Sequence, residues 1–230
     1  MKGQQLPLAV GLSQQHRFDN FHPGPNFAAI ASLRSLLDLE GDQIWLHGGA
    51  GSGKTHLLHA LRSEAREAGV TALSLDPAAD PQWTAAAKVP LLCVEDFDRH
   101  HWSDEQALSL LRLIDRRRQQ AGTATLLTAR LAPHQLAGAL PDLRADLLTR
   151  LSAFASFGLK PLQDEHRLQL LQLRCNACGL MLPLEVATFL LRHLPRDTAS
   201  LLAAVATLDH ASLAAQRRLT VPFTQQALGL

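Results

Sequence analysis

One octapeptide constrains this chain more than any other stretch: Gly48-Gly49-Ala50-Gly51-Ser52-Gly53-Lys54-Thr55. It satisfies G-x-x-x-x-G-K-[ST] in full. An apolar run, Ile44–His47, precedes it, and helical periodicity from Lys54 to Ala68 follows and stops on Gly69. A strand that turns through glycines into a helix N-terminus aims several backbone N–H groups at one point, which suits a phosphate. Lys54 is expected to reach the β- and γ-phosphates, and the Thr55 hydroxyl to help hold Mg²⁺. His56, next in line, is counted with the expected nucleotide contacts. The pattern predicts a bound nucleotide.

The flanking sequence says what carries this loop. Further strand-like runs lie at Val70–Leu75, Leu91–Glu95 and Thr123–Thr128, with a fifth at Phe154–Lys160. Helical patterns separate them: Ser103-Asp-Glu-Gln106 is a capping box opening a helix toward Gly122, and another helix contains Leu143–Leu151. Alternating strands and helices predict an α/β fold, a parallel sheet flanked by helices. Ligands of such sheets sit beyond the carboxyl ends of the strands. The acids Glu95 and Asp96, which end an apolar strand, are therefore expected to face the phosphates, one near Mg²⁺ and one orienting water. Beyond Pro161 the pattern is helical only, over Asp164–Cys178, Pro183–Leu194, Asp197 to about Gln216 and a short piece near Pro222. Three units are expected: a mobile arm over 1–15, a nucleotide-binding α/β domain over 16–160 and an all-helical domain over 161–230.

Composition narrows the partners. The chain has 230 residues, 47% hydrophobic and 19% charged, enough for a substantial core. Lys plus Arg is 22 against 21 for Asp plus Glu, a formal charge of +1, which disfavours a domain gripping a long run of phosphates by itself. No apolar run approaches the roughly 20 residues that cross a bilayer, and the N-terminus does not read as a signal peptide. The expectation is a cytoplasmic protein without a membrane partner. Cys175-x-x-Cys178 has no second ligand pair and lies in an apolar-periodic segment, so it reads as packing rather than zinc.

These motifs together resemble the DnaA branch of the AAA+ ATPases, and within it the DnaA-inactivating, Hda-type regulators, over nearly the whole chain. Phe18-Asp-Asn-Phe21 with Gly24 and Asn26 is similar to the segment that shapes the base and ribose pocket of that branch. The resemblance makes Phe21 and Asn26 nucleotide contacts, Thr128 the γ-phosphate sensor, Arg196 the second sensor on the lid, and Arg150 an arginine finger acting in trans. Gln5-Leu6-Pro7-Leu8 looks like a sliding-clamp-binding peptide, in which Pro7 stiffens an extended segment while Leu6 and Leu8 fill an apolar groove.

The resemblance implies an AAA+ domain followed by a small helical lid. It further implies a negative regulator of replication initiation that holds ADP or ATP, with Mg²⁺. Such a protein binds the DNA polymerase III sliding clamp (the beta subunit), meets DNA through that clamp, and stimulates hydrolysis of DnaA-bound ATP. The sequence stops just after the lid pattern, where DnaA continues into a helix-turn-helix. Glu95 stands where the DnaA pattern has Asp, and Asp146 where it has a basic residue. The added methylene at Glu95 shifts a carboxylate near an ion that demands octahedral geometry, which fits a subunit that holds nucleotide mainly for shape. An autonomous DnaA-like or helicase-loading ATPase and a small-molecule P-loop kinase are the competing readings. Self-association is left open.

Three other features read as structural. Arg116-Arg-Arg118 is expected to be a solvated helix face, Trp45 a core residue, and His56 and His59 packing or surface groups rather than a metal pair.

Overall fold

The structure, a computed structural model, describes residues 16–75, 83–195 and 197–230, with the side chains of 83 and 84 excepted. The expected arm with Gln5, Leu6, Pro7 and Leu8, and the lid residue Arg196, lie outside the described residues. In chain order the elements are α1 (Phe27–Ser35), β1 (Glu40–His47), α2 (Lys54–Glu67), β2 (Ala72–Leu75), the short α3 (Trp83–Ala86), β3 (Leu91–Val94), α4 (Asp104–Arg118), β4 (Thr123–Ala129), the short α5 (Leu136–Ala139), α6 (Ala145–Ser152) and β5 (Ala155–Gly158). Four helices follow: α7 (Asp164–Ala177), α8 (Leu184–His193), α9 (Thr198–Ala215) and α10 (Val221–Leu228).

The five strands form one sheet in the order β2-β3-β4-β1-β5, all pairs parallel. Because side chains alternate along a strand, each strand feeds two cores. Ile44, Leu46, Leu91, Cys93 and Leu126 meet Leu33 of α1 and Leu57, Leu58 and Leu61 of α2 on one face. Trp45, Leu92, Val94 and Leu127 meet Leu110, Leu113 and Ile114 of α4 and Leu147 and Leu151 of α6 on the other. Both faces are covered, as an all-parallel sheet requires. Trp45 is fully buried and its indole N–H donates to the Leu131 carbonyl (2.9 Å). The helices α7 to α10 close around their own core, which includes Leu171, Val186, Leu190, Leu201, Val205 and Phe223. By length and composition α9, 18 residues long, is apolar enough to cross a membrane, but Leu201, Val205 and Leu208 bury one face of it in this helical core.

The capping box at Ser103 is formed: the Gln106 N–H donates to Ser103 Oγ (3.2 Å) and the Ser103 N–H to Gln106 Oε1 (3.0 Å). Three expectations are corrected. Strand β1 begins at Glu40 rather than Ile44, because its polar first half pairs with β4 at the sheet rim. Helix α1, which has no capping side chain, is an element the sequence reading did not expect. The third correction concerns the arginine triplet. Arg117 is 1% exposed, and its five N–H donors go to Thr125 Oγ1 and to the carbonyls of Ala86, Val89, Pro90 and Ala124, at 2.6–3.0 Å. It is a core strut, because the turn of helix that places Arg116 and Arg118 outward aims Arg117 at the sheet.

Candidate functional site

Parallel strands bring their carboxyl ends to one edge of the sheet. His47 pairs with Ala129 and Val94 with Leu127, and the Gly48 N–H bonds the Ala129 carbonyl (3.2 Å). The glycine loop, the acidic turn and the end of β4 are thereby neighbours.

The loop needs its glycines where φ is positive. Gly53 stands at φ 99° as the N-cap of α2, and a Cβ there would come within 2.5 Å of the Phe21 ring. Gly51, at φ 71°, abuts Asp197 at the head of α9, so the helical unit closes onto the loop. Lys54 is 7% exposed and folds back, its Nζ donating to the carbonyls of Gly48 (2.8 Å) and Gly49 (3.1 Å). Burial pulls its pKa below the ordinary lysine value, while Asp96 and Asp98 pull the other way. A cation parked on loop carbonyls is positioned to exchange them for phosphate oxygens.

A cavity of about 480 Å³ opens beside the loop. Its walls include Phe21, Asn26, Gly49, Ala50, Gly51, Ser52, Gly53, Lys54, Thr55 and His56, which the sequence reading assembled. They also include His16, Asn20, His22, Arg174 and Asp197, which it missed. The Asn26 amide is spent on shape: Nδ2 donates to the Lys160 carbonyl (3.1 Å) and Oδ1 accepts from the Lys160 N–H (2.8 Å), tying the chain after β5 to the lip of the cavity. His56 holds the Arg17 carbonyl through Nε2 (2.9 Å), and burial lowers its pKa. Asp197 caps α9, accepting from the Ser200 N–H (2.8 Å) and Ser200 Oγ (2.7 Å), which keeps its carboxyl below the ordinary range.

Gly48, Glu95, Asp96, Thr128 and Arg150 are not among the lining residues. Asp96 stands in the left-handed region (φ 49°, ψ 46°), a conformation costing a non-glycine residue roughly 1 kcal/mol. Two contacts hold it there: its N–H donates to Thr128 Oγ1 (3.0 Å) and its carboxylate accepts from Arg99 Nη1 (2.9 Å). Thr128 is fully buried and couples the end of β4 to the acidic turn. Arg150 lies on α6, on the sheet face opposite α2, where its Nε meets Asp115 Oδ1 at 2.7 Å and its side chain is 46% exposed.

A phosphate group fits this loop by two observations: the Ser52 hydroxyl is enclosed with no partner, and a Cβ on Gly49 would meet nothing within 4 Å. For Mg²⁺, Thr55 and Glu95 supply hard oxygen donors. Among the described residues no three His, Cys, Asp or Glu side chains converge as a metal site, so the ion would rest chiefly on phosphate and water.

Residues 164–228 match the family model described as "Hda, lid domain". Among solved structures, the chain is similar to domain III of the Thermotoga maritima replication initiation protein DnaA, with a TM-score of 0.76 at 17% identity over 94% of this chain and 96% of that one. It is also similar to AMPPCP-bound DnaA from Aquifex aeolicus (TM-score 0.74, 18% identity, 86% and 66% of the two chains). A Thermotoga maritima RuvB mutant gives 0.66 at 15% identity, over 93% and 72%. At these identities the likeness is one of fold. The α/β unit has the fold of DnaA domain III, and the segment that holds α7 to α10 matches the Hda lid model.

Proposed function

We infer, from an Hda-type lid carried on a DnaA-like AAA+ domain, that this protein is a nucleotide-loaded regulator acting on DnaA. It stimulates hydrolysis of DnaA-bound ATP and so restrains replication initiation, in the cytoplasm. The observation that carries this reading is Arg150: a half-exposed guanidinium on a packed helix, off the protein's own cavity and held by an exposed pair with Asp115 that a neighbour's phosphate can replace.

Packing of Leu147 and Leu151 fixes α6 against the sheet, so the backbone under Arg150 is rigid. The planar guanidinium stabilises charge developing on a γ-phosphate held by DnaA. Other arginine fingers raise rates by roughly 10³–10⁵, which is about 4–7 kcal/mol of barrier. Releasing Arg150 from Asp115 costs at most about 1 kcal/mol, since both groups are solvent-exposed. The balance favours redeployment. The protein's own ADP would lie with its phosphates on Gly49–Thr55 and, from the lid, near Arg196, setting the angle between lid and sheet. Gln5–Leu8 would dock on the DNA-loaded clamp, raising the local concentration of this protein where DnaA is to be met.

The test is hydrolysis of DnaA-bound ATP with clamp, DNA and this protein, each omitted in turn. Arg150→Ala is expected to retain nucleotide and clamp binding but lose at least 100-fold of the stimulation, on the order of what a finger supplies. Full stimulation by that variant would overturn the reading. Rapid ATP turnover by the isolated protein would favour an autonomous ATPase instead.

A further inference from the structure

The lid helix α7 turns one stripe toward the cavity: His166, Leu170 and Arg174, spaced four residues apart. Leu170 and Arg174 line the cavity, and His166 stands behind His22, their rings 5.7 Å apart. Polar atoms on this wall lack partners. Arg174 donates through Nη2 to the Asn20 carbonyl (3.1 Å), but its Nε is enclosed with no acceptor, as are His22 Nε2 and His166 Nδ1. Enclosed polar groups in folded proteins are almost always paired, by protein, water or ligand. Two unpaired atoms on lining residues, Arg174 Nε and His22 Nε2, with His166 Nδ1 behind them, mark where a ligand's polar edge belongs.

We propose that Arg174 is a base-reading residue: its guanidinium donates to an acceptor on the nucleobase of the bound nucleotide, and so ties lid position to occupancy. This rests on the reading of the cavity as a nucleotide site and adds the contact that selects the base end. Phosphates are served elsewhere, by the loop and Lys54. The Arg174 wall is instead flanked by Phe21, Leu170 and Leu202, apolar surfaces suited to a flat ring. Among the described residues no carboxylate pairs with Arg174. The titratable groups that interact with it are His16 on the opening segment, His56 on α2, and Cys178 at the C-terminal cap of α7. Burial holds His16 and His56 below the ordinary histidine value, so at neutral pH Arg174 is the standing cation of this wall. Because the same side chain holds Asn20, a base bound to it links α7 to the segment running into Phe21.

A cation here could also serve a free anion, and the experiment separates the two. Calorimetric titration of the full chain, and of Arg174→Ala and Arg174→Lys, with ADP and separately with inorganic pyrophosphate reads base and phosphate contributions apart. Arg174→Ala is expected to weaken ADP by about 10–100-fold, the range for a charge-assisted hydrogen bond, and to change pyrophosphate by less than about 3-fold. Arg174→Lys, which keeps charge but loses the planar fork, is expected to recover only part of the loss. Equal losses for ADP and pyrophosphate, or full recovery by Lys, would assign Arg174 a general charge or packing role and overturn the proposal. Unchanged ADP affinity in Arg174→Ala would also overturn it while leaving the nucleotide site intact. If the parent chain binds neither ligand, the nucleotide reading itself falls.

Discussion

Arg117 joins the rim of the sheet to the chain that leads into β3, and its removal should be felt as stability. Replacement by Met keeps most of the apolar stem and deletes all five donors. One acceptor, the Pro90 carbonyl, also receives the Ala124 N–H (2.8 Å), so its loss is cheap. The other four bonds are worth about 1 kcal/mol each net, or about 4 kcal/mol together. Opposing this is relief of burying a cation that no carboxylate faces among the described residues. Burial lowers the Arg117 pKa to about 10, so the guanidinium remains charged at neutral pH and bears that cost. A net loss of about 3 kcal/mol is therefore expected. With a urea slope of about 2 kcal/mol per molar, the unfolding midpoint should fall by about 1.5 M. Arg117→Lys, with three donors instead of five, should fall between the parent and Met. A Met variant unfolding within about 0.3 M of the parent would show that these bonds add nothing beyond packing, and the reasoning fails.

Two further outcomes follow from the histidines and glycines in and around the cavity. His16, His22, His47 and His56 all have pKa values lowered first by burial, so in the window below about 6.5 the unfolded chain takes up protons before the folded one, and stability falls as pH falls through it. The thermal midpoint should be lower at pH 5.5 than at pH 7.5, with a shallower dependence in His56→Gln; a flat profile would refute the assignment. Gly53→Ala places a methyl 2.5 Å from Phe21 on a backbone at φ 99°, and should weaken nucleotide binding by at least about 10-fold. Pairing it with Phe21→Ala removes the clash but not the backbone strain, so the double variant should stay impaired; recovery would place the whole defect in the ring contact.

What was legible in the sequence was what repeats along it or closes within a few residues. Short apolar runs bounded by breakers placed the strands, and Ser103 with Gln106 closes a cap over three residues. The glycine loop could be read because its chemistry is contiguous. The missed features are tertiary. Asn26 lines the cavity as the resemblance implies, but the tie of its amide to Lys160, 134 residues away, has no signature in the sequence. Arg117 differs from Arg116 and Arg118 only in its angle about the helix, and nothing in a run of three identical residues marks the middle one; the apolar residues Leu110, Leu113 and Ile114 on the same buried side were the one available sign. Arg174 bonds Asn20 across 154 residues, and the apolar periodicity around it, Leu170 included, hides the polar groups His166 and Arg174 on the same helix face. Arg117 reads as surface and Arg174 draws no reading at all for the same reason: carbonyl acceptors have no sequence signature. Arg150 is the converse case. Its motif is legible in the sequence, and its local partner, Asp115, forms an exposed pair worth at most about 1 kcal/mol, so a phosphate on a second molecule outcompetes it.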